Sequence, residues 1–257
     1  MPIASTAIVG FGARIPDSCT IGPYCIVGAE VELGEQCRLD AHVVIEGPTR
    51  LGSHNHVFPF TTIGLAPQDL TYAGEPTRLE IGDRNVIREF CSLHRGTVKG
   101  GGVTRIGSDN LFMAYCHVAH DCAIGDHCLL ANCATLGGHV QVEDYATIGA
   151  FSPVHQFVRV GCHAYVGGGT VVTQDVLPFS KTSARREAHA FGVNGIGLER
   201  RGFDRARIEA LQRAFRLLLH SGLNTTQALE RINAEPQTKD VAALAAFIAA
   251  SQRGVIK

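Results

Sequence analysis

An aliphatic side chain returns every six residues from the start of the chain: Ile3, Val9, Ile15, Ile21, Val27, Leu33, Leu39, Ile45, Leu51, Val57 and Ile63. The beat resumes at Ile81, Ile87 and Leu93. One residue out of step, it then runs from Ile106 through Phe112, Val118, Ile124, Leu130, Leu136, Val142, Ile148, Val154, Val160 and Val166 to Val172. A period of six suits neither an amphipathic helix nor an alternating strand, and it is the hexapeptide signature of a parallel β-helix. With about 18 residues to a triangular coil, the pattern predicts between roughly eight and nine coils. Each beat residue is expected to point into the prism. The Gly that often follows it, as at 10, 22, 28, 34, 52, 64, 82, 107, 125, 137, 149, 161 and 167, is expected to permit a tight corner.

The two breaks in the beat predict loops at 65–80 and 99–105. The second contains Gly100, Gly101 and Gly102, a run that suits a flexible loop better than a phosphate cradle. After Val172 the beat stops and helical spacing takes over. Apolar residues at 208, 211, 215 and 218 lead to Gly222, and Thr225 to Ile232 and Asp240 to Ser251 read as two further short helices. The expected organisation is a mainly β chain: a left-handed β-helix over 1–185 and a small helical domain over 186–257. The left hand is an expectation from known hexapeptide proteins, because the spacing itself carries no handedness.

Composition changes this picture little. A 45% hydrophobic and 18% charged chain is globular, and a net charge of −1 predicts no nucleic-acid partner. From Lys181 to Arg216, nine Lys or Arg face four Asp or Glu, a local excess that suits either an acidic partner or solvated helix faces. The start of the sequence lacks a basic stretch followed by an apolar run, and no apolar run approaches membrane-spanning length. A cytoplasmic location without membrane insertion is therefore expected. Of nine cysteines, Cys19, Cys25, Cys37, Cys91, Cys116, Cys122 and Cys128 lie two residues before a beat residue, which predicts inward-facing core thiols rather than nucleophiles. No C-x-x-C pair is present, which disfavours a structural zinc site.

The candidate chemistry is in H-V-A-H-D-C, His117 to Cys122. If residues one coil apart lie about 4.8 Å from each other, Gly138 sits above His120 and Gln156 above Gly138. Asp121 sits beneath His139, and His155 is displaced by one position. Such an edge suits acyl transfer: a His base for a hydroxyl nucleophile, a carboxylate to orient it, and an unobstructed Gly138 N–H for an oxyanion. Zinc held by histidines from successive coils is the rival reading.

The segments Q-D-L-T-Y-A-G-E-P-T-R, S-L-H-R-G-T, G-S-D-N-L, H-V-A-H-D-C, A-T-L-G-G-H-V, V-H-Q-F and F-G-V-N-G-I-G-L-E-R-R-G-F resemble the UDP-N-acetylglucosamine acyltransferases of lipid A biosynthesis. The resemblance covers essentially the whole chain. It implies a homotrimer with active sites between neighbouring prisms, and transfer of an (R)-3-hydroxyacyl group from the phosphopantetheine of acyl carrier protein to the 3-hydroxyl of UDP-GlcNAc. No other cofactor and no metal is implied. His120 would be the general base, Asp121 its orienting partner and Gly138 the oxyanion donor. His117, His139, His155 and Gln156 would contact the sugar nucleotide or the acyl-donor arm. Asp69, Asn194, Arg200 and Arg201 would complete the contacts to substrate and carrier protein.

Two positions depart from the family pattern. Thr71 stands where the family commonly has Lys. S-A-R-R-E-A-H-A replaces a small, His-containing stretch near the end of the acyl pocket. There Arg185 or Arg186 would disfavour a long apolar chain, whereas Gly168 would leave room for one. The alternatives these departures raise are an acyltransferase for another amino-sugar nucleotide or a shorter acyl donor, and a non-catalytic binding relative.

Overall fold

The computed structural model describes residues 3–184 and 188–257. The beat residues build a triangular prism whose three faces are parallel sheets. Face I runs from Ile8–Val9 through Ile26–Val27 up to Pro153–Val154. Face II runs from Val31–Leu33 to Arg159–Val160, and face III from Thr20–Ile21 to Tyr165–Val166. Partners on adjacent coils are 18 residues apart, as in His117 with Thr135 and Leu136 with Val154. This is the parallel β-helix expected from the spacing, with the left hand expected from known hexapeptide proteins.

From Ile21 to Val172 every beat residue is buried. The exceptions, exposed Ile3 and Val9 and half-buried Ile15, lie in the first coil, which has no coil beneath it. The seven cysteines two positions earlier are buried as well, and their thiols donate to backbone carbonyls, as Cys122 Sγ does to Gly137 O at 3.2 Å. Burial pushes the Cys122 thiol up to about 12, which suits an inert core residue.

The corners are made differently from the expectation. The residue three after the beat, rather than the glycine one after it, adopts the left-handed conformation: Tyr24, Gln36, His42, Phe60, Phe90, Tyr115, Asp121 and His139 all have φ near +60°, whereas of the following glycines among the described residues Gly64 alone has a positive φ. The glycine one after the beat answers a different need, close approach of the next coil. A Cβ on Gly34 would lie 2.5 Å from the Gly52 carbonyl carbon.

Both loops leave the prism at the corner between faces I and II. They widen the coil offset from 18 residues to 30 at Leu51 with Ile81 and to 25 at Ile81 with Ile106. At the far end an antiparallel pair, Ser180–Ala184 with Ala188–Val193, extends face III across the 185/186 point. Four helices follow: α1 (Gly195–Arg200), α2 (Arg205–His220), α3 (Thr225–Asn233) and α4 (Lys239–Ala249). Asp204, Asn224 and Thr238 cap the last three, Asn224 with Gln227 as a capping box. Their apolar faces close over Leu177 and Phe179 in a second core. The chain then returns to the prism, where Ile256 joins the first core and Asp175 receives Ser251 Oγ at 2.8 Å.

Candidate active site

The corner between faces I and II carries Asp121, His139 and Phe157 one above the other, each at the left-handed position. His120, just before the first of these, points its ring at Gly138 on the coil above. A Cβ on Gly138 would fall 2.6 Å from His120 Cε1 and 2.8 Å from Nε2, so only glycine leaves the ring its place. His120 Nδ1 lies 2.8 Å from Asp121 Oδ2. A carboxylate only accepts, so Nδ1 carries the proton and Nε2 is left with the lone pair beside Gly138.

The spacing places this edge outward, toward solvent. The structure covers it, because the chain from Thr97 to Gly102 folds over the corner and leaves the Asp121 side chain 1% and His120 15% exposed. Thr97 donates to Asp121 twice, from its N–H to Oδ1 at 2.7 Å and from Oγ1 to Oδ2 at 2.6 Å. The Asp121 N–H is taken by Thr104 Oγ1 at 2.8 Å. Gly100 packs so closely on the carboxylate that a Cβ would reach Asp121 Cγ at 2.0 Å.

The Gly-rich loop is therefore neither free nor a phosphate cradle. Its N–H groups are already spent, that of Gly100 on Thr97 O and Oγ1, that of Gly101 on Val98 O and that of Gly102 on Thr97 O. It is the lid that desolvates Asp121.

Three histidines beside this pair, His139, His117 and His94, are all held toward the neutral form. His139 stacks on Phe157 with ring centroids 4.4 Å apart and meets His120 edge to face at 5.3 Å. Its Nε2 is 3.7 Å from Asp121 Oδ2, too far for a hydrogen bond. Burial is the main cause that holds its pKa below the ordinary value. His117 pairs with Ser92 Oγ at 2.7 Å, and it too is held down by burial, with the charge of His120 adding to the effect. His94, edge-on to His117 at 5.1 Å, is pushed down to about 4 by burial. His155 is exposed and donates Nδ1–H to the Gln156 carbonyl at 3.0 Å, and Gln156 itself is exposed.

In the first loop, Asp69 accepts from Thr71 N at 2.8 Å and from Thr71 Oγ1 at 2.9 Å. These bonds, and then the positive charge of Lys99, hold its carboxyl below the usual range. His120, Asp121 and His139 offer three ligand atoms within 4.8 Å of one another, a spacing a metal ion could span. Asp121, however, already accepts from Thr97 and His120.

The remaining expected residues lie elsewhere. Asn194, Arg200 and Arg201 line a separate cavity of about 670 Å³ against face III, with Leu129, Thr147 and Lys181. Asn194 Nδ2 donates to His163 O at 3.1 Å, Arg201 reaches His163 Nδ1 at 3.2 Å, and Arg200 is exposed. Gly168 lies at the exposed far end of the prism, where an added Cβ would come within 3.2 Å of the Ala150 carbonyl oxygen. Arg185 and Arg186 lie outside the described residues. Thr97, Thr104 and Lys99 belong to the site and carry no sequence expectation of their own, and Gly100 is expected only as part of a flexible loop. The 25-residue offset created by the second loop would have revealed Thr97 alone, since it sets Gly96 below Asp121 and Thr97 beside it.

A corner histidine oriented by a buried carboxylate on a hexapeptide prism defines an acyltransferase class, and the comparisons agree. Residues 104–138 match the bacterial transferase hexapeptide (six repeats) model, and residues 175–256 match the model for domain 2 of Udp N-acetylglucosamine O-acyltransferase. Among solved structures, the Moraxella catarrhalis UDP-N-acetylglucosamine O-acyltransferase is 43% identical with a TM-score of 0.94 over 100% of both chains. The protein from Acinetobacter baumannii is 42% identical with a TM-score of 0.96 over 99% of both chains. The Francisella novicida UDP-N-acetylglucosamine acyltransferase is 37% identical with a TM-score of 0.96, over 99% of this chain and 93% of that one. This chain belongs to the UDP-N-acetylglucosamine O-acyltransferase family.

Proposed function

We propose that the protein transfers an (R)-3-hydroxyacyl group from acyl carrier protein to the 3-hydroxyl of UDP-GlcNAc, with His120 as general base. The observation that carries this reading is the 2.8 Å bond from His120 Nδ1 to buried Asp121, which fixes the tautomer and leaves Nε2 basic. Nε2 removes the hydroxyl proton as the sugar oxygen bonds to the thioester carbonyl carbon. The negative charge that develops on the carbonyl oxygen is met by the Gly138 N–H, which has no acceptor among the described residues. Collapse of the tetrahedral intermediate breaks the C–S bond, and the departing phosphopantetheine sulfur takes the proton back from His120. No metal enters these steps.

His117, His139, His155, Gln156 and Asp69 would hold the sugar nucleotide and the acyl-donor arm. Asn194, Arg200 and Arg201 face away from this corner on their own prism. A homotrimer would bring that cavity of one copy against the His120 corner of the next, with Arg200 and its basic neighbours turned to the acidic carrier protein. No helix is long and apolar enough to cross a membrane among the described residues, and the reading needs none, since both substrates are soluble; a cytoplasmic site of action follows.

The test is product analysis by mass spectrometry after incubation with UDP-GlcNAc, or its 3-amino analogue, and a panel of hydroxyacyl and shorter acyl carrier proteins. O-acylated UDP-GlcNAc is expected, lost in His120→Ala. Product from the amino analogue alone would reassign the sugar, absence of product from any pair would refute acyl transfer, and full activity of His120→Ala would refute the mechanism.

A further inference from the structure

The two loops at the catalytic corner touch through one side chain. Lys99 Nζ donates to Thr71 Oγ1 at 2.8 Å, and Thr71 Oγ1 in turn donates to Asp69 Oδ1 at 2.9 Å. Lys99 sits in the short 3-10 turn Val98–Gly100, whose next residue packs on Asp121. The turn is thus anchored at one end to the catalytic carboxylate, and its exposed cation is aimed at the tip of the other loop. An ammonium carries three donors and Thr71 uses one, so two remain. Position 71, where the resemblance leads one to expect a cation, is served by a cation from position 99.

We propose that Lys99 is a substrate-positioning residue that donates to the sugar nucleotide, with Thr71 as the relay that fixes its ammonium beside Asp69. This rests on the acyl-transfer reading above. The pair sets an acceptor, Asp69, and a donor, Lys99, on either side of Thr71, a match for a ligand rich in hydroxyl, carbonyl and phosphate oxygens. The 3-hydroxyacyl group offers one hydroxyl, one carbonyl and no phosphate, so the oxygen-rich sugar nucleotide is the better match for the Lys99 ammonium. A merely structural role fails on magnitude: an exposed Lys–Thr hydrogen bond between loops adds little to stability. A charge-assisted bond to a bound substrate changes affinity by roughly tenfold to a hundredfold.

The experiment measures turnover, and UDP-GlcNAc binding by calorimetry, for the unmodified protein, Lys99→Met, Lys99→Arg and the double variant Lys99→Met with Thr71→Lys. Lys99→Met is expected to raise KM and Kd for the sugar nucleotide at least about tenfold. Its kcat, its KM for acyl carrier protein and its melting temperature should stay close to those of the unmodified protein. Lys99→Arg should retain most affinity, and Thr71→Lys should restore it in the double variant by returning the cation from the other loop. Unchanged sugar-nucleotide affinity in Lys99→Met, or a lowered melting temperature as its sole effect, overturns the proposal and leaves acyl transfer intact. An unmodified protein that neither binds nor turns over UDP-GlcNAc overturns both.

Discussion

At the corner leading from face III to face I, the left-handed positions hold Tyr24, His42, Phe60, Phe90 and Tyr115, stacked with centroids 4.8 to 5.2 Å apart. At the corner leading from face I to face II, the same position holds Asp121, His139 and Phe157, and two loops break the column below them. The backbone problem is identical at both. An L-residue in the left-handed region costs on the order of 1–2 kcal/mol, and each column has to offset that cost repeatedly. The first does so with aromatic stacking, worth about 0.5–1.5 kcal/mol per pair. The second replaces a flat ladder with a buried carboxylate, whose cost is offset only because Thr97, twice, and His120 bond to it. On the proposed mechanism the reacting corner is the interrupted one, where a loop returns to cover a charged residue.

The sharpest way to separate the corners is to remove His120. His120→Ala is expected to lower kcat by about 10²–10⁴ and, by taking one bond from the buried Asp121 carboxylate, to cost about 1–3 kcal/mol of stability, as read by steady-state kinetics beside thermal denaturation. Next in size is Thr97→Val, which takes one of two Thr97 bonds from the buried carboxylate. A loss of about 1–3 kcal/mol in stability is expected, together with reduced kcat, measured by urea denaturation and kinetics. Retained activity and stability in that variant would mean that the lid is dispensable. In the uniform column, Phe90→Ala should cost about 0.5–1.5 kcal/mol of stability and leave kcat and KM unchanged. An effect on catalysis there would erase the distinction between the corners.

The last test, confined to acid conditions, is a pH dependence of stability. His94 and His163 are held at about 4, against an ordinary 6.5, chiefly by burial. Between those values the unfolded chain binds more protons than the folded one, so their neutral forms contribute fully above 6.5. Stability should therefore decline as pH falls from 6.5 toward 4. Denaturation midpoints across that window, compared with those of His94→Gln, measure the share belonging to the catalytic corner. A flat profile in the unmodified protein would contradict the burial of both rings.

The prism was legible in the sequence because its inward positions demand one kind of residue, and Ile21 to Val172 supply it at constant spacing. The same logic assigned the cysteines, which need only be small and apolar. The left-handed corner positions were not legible, since Tyr24, Gln36, Cys133 and Asp121 have nothing in common except backbone conformation. Helix α1 was missed because Gly195 and Gly197 dilute its helical pattern. The pairing of His120 with Asp121 and the nearness of Gly138 could be read from the coil spacing. What closes over them could not, since the contact of Lys99 with Thr71 depends on how far a flexible side chain reaches between two loops. Asn194, Arg200 and Arg201 were grouped with His120 by motif alone, and the fold sets them on a different face.

The constant offset between coils also makes the molecule an indexing device. Removal of 18 residues from the stem below Ile45 would shorten the shaft and leave every side chain above it on its own face. Removal of six would instead turn everything above by one face, carrying the catalytic corner a third of the way around the axis. Any other length would set the beat residues of one coil against the gaps of the next. Drift in this chain's length is thereby confined to whole turns in the stem and to the two loops, where the count restarts.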